Sequence, residues 1–417
     1  MVLAAAGLGF VNTRSMSFSA ALAESPPFQY DWIDGAENLE RYSPGGYHPV
    51  MIGDVLRSKY RIVDKLGFGG YSTVWLAWDS IDRRYLALKI GIADAPLQET
   101  DILRKLSSPS PSSLALHSRS FMPILFDEFQ LHGPNGTHQC YAMPAARCDL
   151  REISYSRLFP LEVARALCGR LTLAIAYMHS QGYAHGDIHL RNVLLKLPSS
   201  FDHLSVEEFY EEYGEPQSIP VTEQNGKPLP PNVPANAVIP IFLGKPAEKL
   251  KLSDAQILLS DFGEAFAPDL QTRLGKESHI AHPLRPPEAR FEPEKPLSYS
   301  ADVWSLALAI WEILGMKAIF SMEFVTPDEA ISQRIEVLGP MPKEWFEQWE
   351  DRAKFFDDEG CPTPGRELWP PIERGFEEGI QKYRRKRRMG EFGLEETMAI
   401  VDLMRRMLAF RPKERPR

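Results

Sequence analysis

The feature that most constrains this chain is a change of period near residue 150. Before it, Tyr60-Arg61-Ile62-Val63, Thr73-Val74-Trp75-Leu76-Ala77 and Tyr85-Leu86-Ala87-Leu88-Lys89-Ile90 are short runs rich in β-branched and aromatic residues, parted by Gly- or Asp-bearing turns. Such runs read as strands. After it, Leu161, Ala164, Leu167, Leu171, Ala174 and Met178 fall at three- and four-residue steps, with Pro160 placed to open a helix and Gly182 to close it. The pattern predicts an α+β fold, a small β-rich part followed by a larger helical part.

The composition is globular: 417 residues, 44% hydrophobic and 25% charged. A net charge of −9, from 47 basic and 56 acidic residues, argues against direct nucleic-acid binding and permits a basic substrate. Cys140, Cys148, Cys168 and Cys361 form no C-x-x-C pair, so a reduced chain without structural zinc is expected. No run reaches the ~18–20 apolar residues that cross a bilayer. Met1–Phe28 is apolar and Ser/Ala-rich, but Arg14 is its only basic residue, which is poor for a transit helix. A disordered extension over residues 1–45 is expected instead. Residues 198–250 hold nine prolines and few periodic runs, apart from an acidic amphipathic patch at Ser205–Tyr213. They read as an inserted, partly disordered loop.

Three constellations carry chemistry. Leu66-Gly67-Phe68-Gly69-Gly70-Tyr71-Ser72-Thr73-Val74 matches G-x-G-x-x-G-x-V, with Ser72 at the third glycine. Glycines let backbone N–H groups approach phosphate oxygens. A strand follows it, which excludes a dinucleotide-binding βαβ unit. Next, Lys89 on the following strand is placed to reach nucleotide phosphates. Glu99, ten residues on, is its expected helix partner, with Asp101 the competing acid. Third, His185-Gly186-Asp187-Ile188-His189-Leu190-Arg191-Asn192 follows a long helix, and Asp261-Phe262-Gly263 follows the strand-like Ile257-Leu258-Leu259-Ser260. Phosphoryl transfer needs an acid to orient the attacking hydroxyl, and oxygen ligands for Mg²⁺.

With these motifs in this order, the chain resembles the eukaryotic protein kinases from about Tyr60 to Arg417. The resemblance implies a bilobal kinase fold, with a small lobe at 46–145, a mainly helical large lobe at 146–417, and ATP with Mg²⁺ between them. It implies that Gly67, Gly69 and Gly70, with Leu66, Phe68, Tyr71 and Ser72, cover the phosphates. Lys89 holds them with Glu99, Asp187 is the catalytic base, and Asn192 and Asp261 hold the metal. Val74, Ala87 and Leu194 wall the adenine, and Ala146 meets it, because Pro144 has no N–H to donate. Arg285-Pro286-Pro287-Glu288 stands at the A-P-E signature, with Arg415 its late partner, and Asp302-Val303-Trp304-Ser305 opens a helix (WSLALAIWEIL) apolar nearly all round.

Within the kinases the chain is most similar to SR-protein kinases, through Tyr42-Ser43-Pro44-Gly45-Gly46-Tyr47-His48-Pro49-Val50, Ile52-Gly53-Asp54, Ser72–Asp79 and the long insert before Asp261. That likeness implies a serine/threonine kinase for Arg/Ser-rich protein substrates, acting as a monomer in cytoplasm or nucleus. Two departures stand out. Gly186 replaces an arginine that many kinases use to bind an activation-loop phosphate, so activity is expected without that phosphate. His189 replaces the usual lysine, and Arg191 is the expected substitute at the γ-phosphate. His-Gly-Asp-x-His-x-x-Asn also resembles the loop of aminoglycoside and choline phosphotransferases and of the KEOPS-complex kinase. A small-molecule or atypical kinase, and a kinase-fold scaffold, are therefore the alternatives. Arg384–Arg388 reads as a nuclear localisation signal or a solvated face, and Asp357-Asp358-Glu359 as an acidic dock or ordinary surface. Kinases of this type run on past the late arginine, so further chain is expected beyond Arg417.

Overall fold

The computed structural model describes residues 29–93, 95, 98–107, 118–155, 157–321 and 325–416, so the reading of Met1–Phe28 lies outside the described residues. They fall into two compact units. The first holds the described residues up to Thr100, with Ile124–Ala146 and Leu197–Leu243; the second holds Asp101–Pro123, Arg147–Lys196 and Gly244–Arg417.

In the first unit β1 (Val55–Leu56), β2 (Tyr60–Gly69), β3 (Ser72–Asp79), β4 (Arg84–Gly91), β5 (Asp127–Gly133) and β6 (Gly136–Pro144) make one antiparallel sheet, ordered β1-β2-β3-β4-β6-β5. Trp75 pairs with Leu88 and Ala77 with Leu86, and Leu88 pairs onward with Ala142. Directly opposed residues share a face, so these side chains line one buried core. β2 shifts register between Ile62 and Asp64 and again between Lys65 and Gly67. Such bulges bend the strand as it reaches the glycine-rich turn.

The insert and the described part of the N-terminal extension are ordered, a correction to both expectations of disorder. Tyr30, Leu39, Tyr42 and Tyr47 share a core with Val221, Val233 and Ala237. Ser218–Pro220 pairs antiparallel with Asn236–Val238. Ser205 and Glu208 form a reciprocal capping box on the helix Val206–Tyr213. That helix packs Phe209 against Tyr85, ring centroids 5.4 Å apart. The apolar residues of this core lie singly among prolines, so no local period announces them. They become a core because the extension supplies the facing half. Beneath it Lys65 and Glu37 form a buried ion pair, and the Tyr42 hydroxyl donates to Glu37.

His48 and His138 meet edge-on in this unit, centroids 4.9 Å apart, with His48 Nδ1 and His138 Nε2 buried and lacking partners. Burial, with the His138 charge, pushes His48 down to about 4, and burial lowers His138 too. A histidine whose folded pKa lies below its unfolded value takes up protons on unfolding, so its contribution to stability falls as pH drops from about 6.5 toward 4. Thermal melts over that window should show a smaller acid-side loss for His48→Phe than for wild type. Parallel curves would rule the pair out as a determinant.

In the second unit α2 (Leu161–Ser180) is the helix expected from Pro160, and Gly182 follows it at φ +83°. (The label α1 belongs to Gln98–Leu106, whose first residues lie in the first unit.) α3 (Tyr299–Leu314) is buried on nearly every side. β7 (Ala146–Asp149), β8 (Val193–Lys196) and β9 (Ile257–Leu259) form a small sheet ordered β9-β8-β7. Its strands lead directly into the polar loops described next. The basic run is not one solvated stripe: Arg384 is wholly buried, donating to the carbonyls of Leu314 and Phe159, and Arg385 pairs with Glu377 and Glu391.

Candidate active site

In the first unit, Val74 opposes Lys89 and Lys89 opposes Tyr141, while Ala87 opposes Met143. Alternation along a strand puts Ala87 and Lys89 on the same face, so Val74, Ala87 and Lys89 line one side of the sheet. Lys89 Nζ donates to both Glu99 carboxylate oxygens, at 2.8 and 2.7 Å. The ten-residue step suffices because α1 begins at Gln98, which puts Glu99 in its first turn. Asp101 instead pairs with Arg104 on the exposed side at 2.6 Å, which settles the choice between the two acids. Tyr141 is buried beside the pair, and burial with the Glu99 charge raises its hydroxyl pKa. A Cβ at Gly67 or Gly69 would meet nothing within 4 Å, so these glycines leave a bare backbone surface. Phe68 and Tyr71 are exposed, Ser72 is buried opposite Gly69, and Leu66 is half-buried. Ala145 accepts from the Leu197 N–H at 3.0 Å. Ala146 follows as the first residue of β7, and Leu194 is half-buried on β8.

In the second unit the catalytic-loop residues are fixed by one buried carboxylate that the sequence reading placed only as a helix opener. Asp302 accepts from the His185 N–H at 2.7 Å, the Gly186 N–H at 2.9 Å and His179 Nε2 at 2.8 Å. Burial alone would raise its pKa, but these hydrogen bonds and the neighbouring histidines hold it below the usual carboxylate range. His185 Nδ1 accepts from the Asp187 N–H at 3.2 Å, which leaves Nε2 to donate to the Ser260 carbonyl at 3.0 Å. Asn192 Nδ2 donates to the Asp187 carbonyl at 2.9 Å, and the Asn192 carbonyl accepts from the Ser260 N–H at 2.9 Å. One net therefore joins the loop of Asp187 and Asn192 to the residue preceding Asp261. Asp261 itself sits at φ +61°, a conformation that costs a non-glycine residue energy and is kept where the surroundings enforce it.

Beside Asp187 stands His189, its Nε2 3.5 Å from Asp187 Oδ2. Burial would lower its pKa, yet the Asp187 carboxylate and the Asp261 charge raise it on balance. Arg191, expected there as the lysine substitute, is exposed, and its charge acts on Asp149. Of the two basic residues, it is His189 whose ring lies beside the Asp187 carboxylate.

Gly186 lies at φ +77°, and a Cβ there would come within 2.5 Å of the Glu264 carbonyl oxygen. No side chain fits, an arginine least of all. Instead Arg273 donates to the Glu264 carbonyl and carboxylate, and His279 Nδ1 lies 2.9 Å from the same carboxylate. Further along, Glu288 and Arg415 form a buried bidentate pair at 2.7 and 2.6 Å. Arg334, a residue the sequence reading missed, is buried and donates to the carbonyls of His282, Pro283 and Arg285. No spacing rule would have found it, because its partners are backbone. Asp357, Asp358 and Glu359 are exposed, whereas Glu344 is paired to Arg411 and Asp351 to Lys354.

No family model matches the chain. A protein named serine/threonine-protein kinase SRPK from Physarum polycephalum is 27% identical over 91% of this chain and 88% of its own length. A serine/threonine protein kinase of Aspergillus fumigatus is 26% identical over 78% of this chain and 76% of its own. The kinase spk-1 of Caenorhabditis elegans is 38% identical over 39% of this chain, but the match spans only 17% of that relative's length, and 15% for its Caenorhabditis briggsae counterpart. A crystal structure of a kinase domain superposes with a TM-score of 0.58 at 17% identity, covering 89% of this chain and 95% of that one. The chain thus shares its fold with a kinase domain, and its sequence is similar to those of serine/threonine protein kinases, an SR-protein kinase among them.

Proposed function

We propose that this chain is an ATP-dependent serine/threonine protein kinase that acts on Arg/Ser-rich protein substrates. The observation that carries the reading is the net joining Asp187, Asn192 and the Asp261 turn through His185 and Ser260. On this reading Asp187 orients the substrate hydroxyl and takes its proton, while Lys89, held by Glu99, neutralises phosphate charge. His189 adds an imidazole beside Asp187, whose carboxylate favours the protonated ring. Mg²⁺ suits the residues present: Asn192 spends its Nδ2 on the Asp187 carbonyl and keeps Oδ1 as an oxygen acceptor, and Asp261 offers a carboxylate. When bound, Mg²⁺ supplies charge neutralisation on the nucleotide phosphates. A small-molecule kinase is not favoured, because the buried Glu288–Arg415 pair and the Arg334 carbonyl clamp brace a segment that protein kinases use to seat a polypeptide.

The test is radiolabelled transfer by the full chain onto an Arg-Ser-repeat peptide and onto a generic basic protein, with Lys89→Met as control. Labelling of the repeat peptide that disappears in the control supports the reading. Labelling of the generic protein alone keeps a kinase but removes the Arg/Ser preference. With Gly186 closed to any side chain and Glu264, Arg273 and His279 holding one another, phosphatase-treated protein should keep its rate. A loss that is restored by a phosphate on the segment between Phe262 and Glu288 would overturn this expectation.

A further inference from the structure

The glycine-rich turn is held by the segment that precedes β1. The Tyr47 hydroxyl donates to the Gly69 carbonyl at 2.7 Å and accepts from Arg41 Nη1 at 3.2 Å. The Arg41 guanidinium lies over the Tyr47 ring, 4.8 Å from its centroid, and 3.7 Å from the position a Cβ at Gly70 would take. Because Arg41 occupies a lone pair of the hydroxyl, the hydroxyl proton is directed to Gly69. Burial raises the Tyr47 pKa, so the donor stays protonated.

The segment that delivers Tyr47 is built for this placement. A Cβ at Gly46 would come within 1.9 Å of the Arg41 carbonyl oxygen, so the turn from Arg41 to Tyr47 closes only with glycine there. The Tyr47 N–H donates back to the same carbonyl at 2.9 Å. Asn135 Nδ2 donates to the carbonyls of Tyr47 and of Asn232, and Asn232 Nδ2 donates to the Tyr42 carbonyl at 2.6 Å. The N-terminal segment, the β5–β6 turn and the insert therefore converge on one tyrosine, a residue only 3% exposed.

We infer that Tyr47, set by Arg41 and braced by the 198–243 insert, is a positioning residue for the phosphate-covering loop and thereby sets the affinity for Mg·ATP. The reason is the planarity of the peptide unit. Across a trans peptide the C=O and N–H point in opposite directions. Holding the Gly69 carbonyl toward Tyr47 turns the Gly70 N–H to the other side of the loop, where a phosphate oxygen would accept it. A glycine-rich loop left to itself samples many such orientations, and fixing one beforehand removes that entropic cost from binding.

The inference rests on the nucleotide-binding half of the proposed function, and its test separates the two. Equilibrium binding of Mg·ATP and steady-state transfer to the Arg-Ser peptide are measured for the full-length wild type, Tyr47→Phe and Arg41→Met, with thermal melts of each. The expected result is a rise of about three- to tenfold in both the Mg·ATP Kd and the ATP KM for Tyr47→Phe, the size of one lost hydrogen bond. Arg41→Met should move the same constants in the same direction. Peptide KM and kcat at saturating ATP should stay near wild type, a split that general loosening of the fold would not produce. An unchanged Kd in a folded Tyr47→Phe, or a parallel fall of melting temperature, kcat and peptide affinity, would overturn the inference. Should Tyr47→Phe fail to fold, the Kd of Arg41→Met decides. Wild type that binds Mg·ATP but labels no protein would sink the proposed function while leaving the Kd comparison in force. Wild type that binds no Mg·ATP would sink both.

Discussion

Asp187→Ala should lower kcat for peptide phosphorylation by about 10²–10⁴-fold, the range for loss of a positioned acid–base group. Mg·ATP affinity should change far less, because the Lys89–Glu99 pair belongs to the other compact unit and is untouched. The backbone bonds of Asp187, its N–H to His185 and its carbonyl from Asn192, both survive in alanine. Its side chain is partly exposed and has His189 Nε2 as a neighbour at 3.5 Å. Single-turnover rates with prebound ATP give the cleanest measure. A variant that keeps more than roughly a tenth of the wild-type rate would show that Asp187 is not the base, given the size expected for such a group.

The second large effect concerns stability. Glu288→Ala leaves the Arg415 guanidinium wholly buried with its carboxylate removed, and breaking such a pair costs about 3–5 kcal/mol. The carbonyls of Ala409, Ser300 and Phe410 still accept from Arg415, but dipoles do not neutralise a buried charge. Urea unfolding should register the loss as a lower midpoint. The double variant Glu288→Leu with Arg415→Met removes both charges and should recover much of it, since apolar replacement of a buried pair is often neutral. If the single variant lost less than about 1 kcal/mol, the pair would be behaving like an exposed one, and its anchoring role would have to be dropped.

Much of the candidate site was legible because phosphoryl transfer calls for residue types at fixed local spacings. Asp187 and Asn192 share one turn, so a short motif suffices to find both, and the bond from Asn192 Nδ2 to the Asp187 carbonyl follows from that proximity. Lys89 and Glu99 were legible as types, but the choice of Glu99 over Asp101 depended on where α1 begins. The placing of the His189 ring beside Asp187 was not legible. His189 and Arg191 are both basic and two residues apart, and the backbone path of the loop decides which one lies 3.5 Å from the carboxylate. Gly186 could be seen as a missing arginine, whereas the reason for it, the Glu264 carbonyl pressed against it, comes from another segment.

By itself the sequence determined the strand-to-helix order, the glycine-rich turn, the catalytic-loop motif and the buried α3, because period, turn chemistry and motif spacing are local properties of the chain. Only the tertiary structure decided that residues 198–243 are ordered, that Arg384 is a core residue rather than part of a basic stripe, and that Tyr47 reaches Gly69. Each of these rests on partners far away in sequence. Hydrophobic burial and hydrogen bonding reward proximity in space, and a prolyl, aperiodic segment carries no local signature of the surface it will meet.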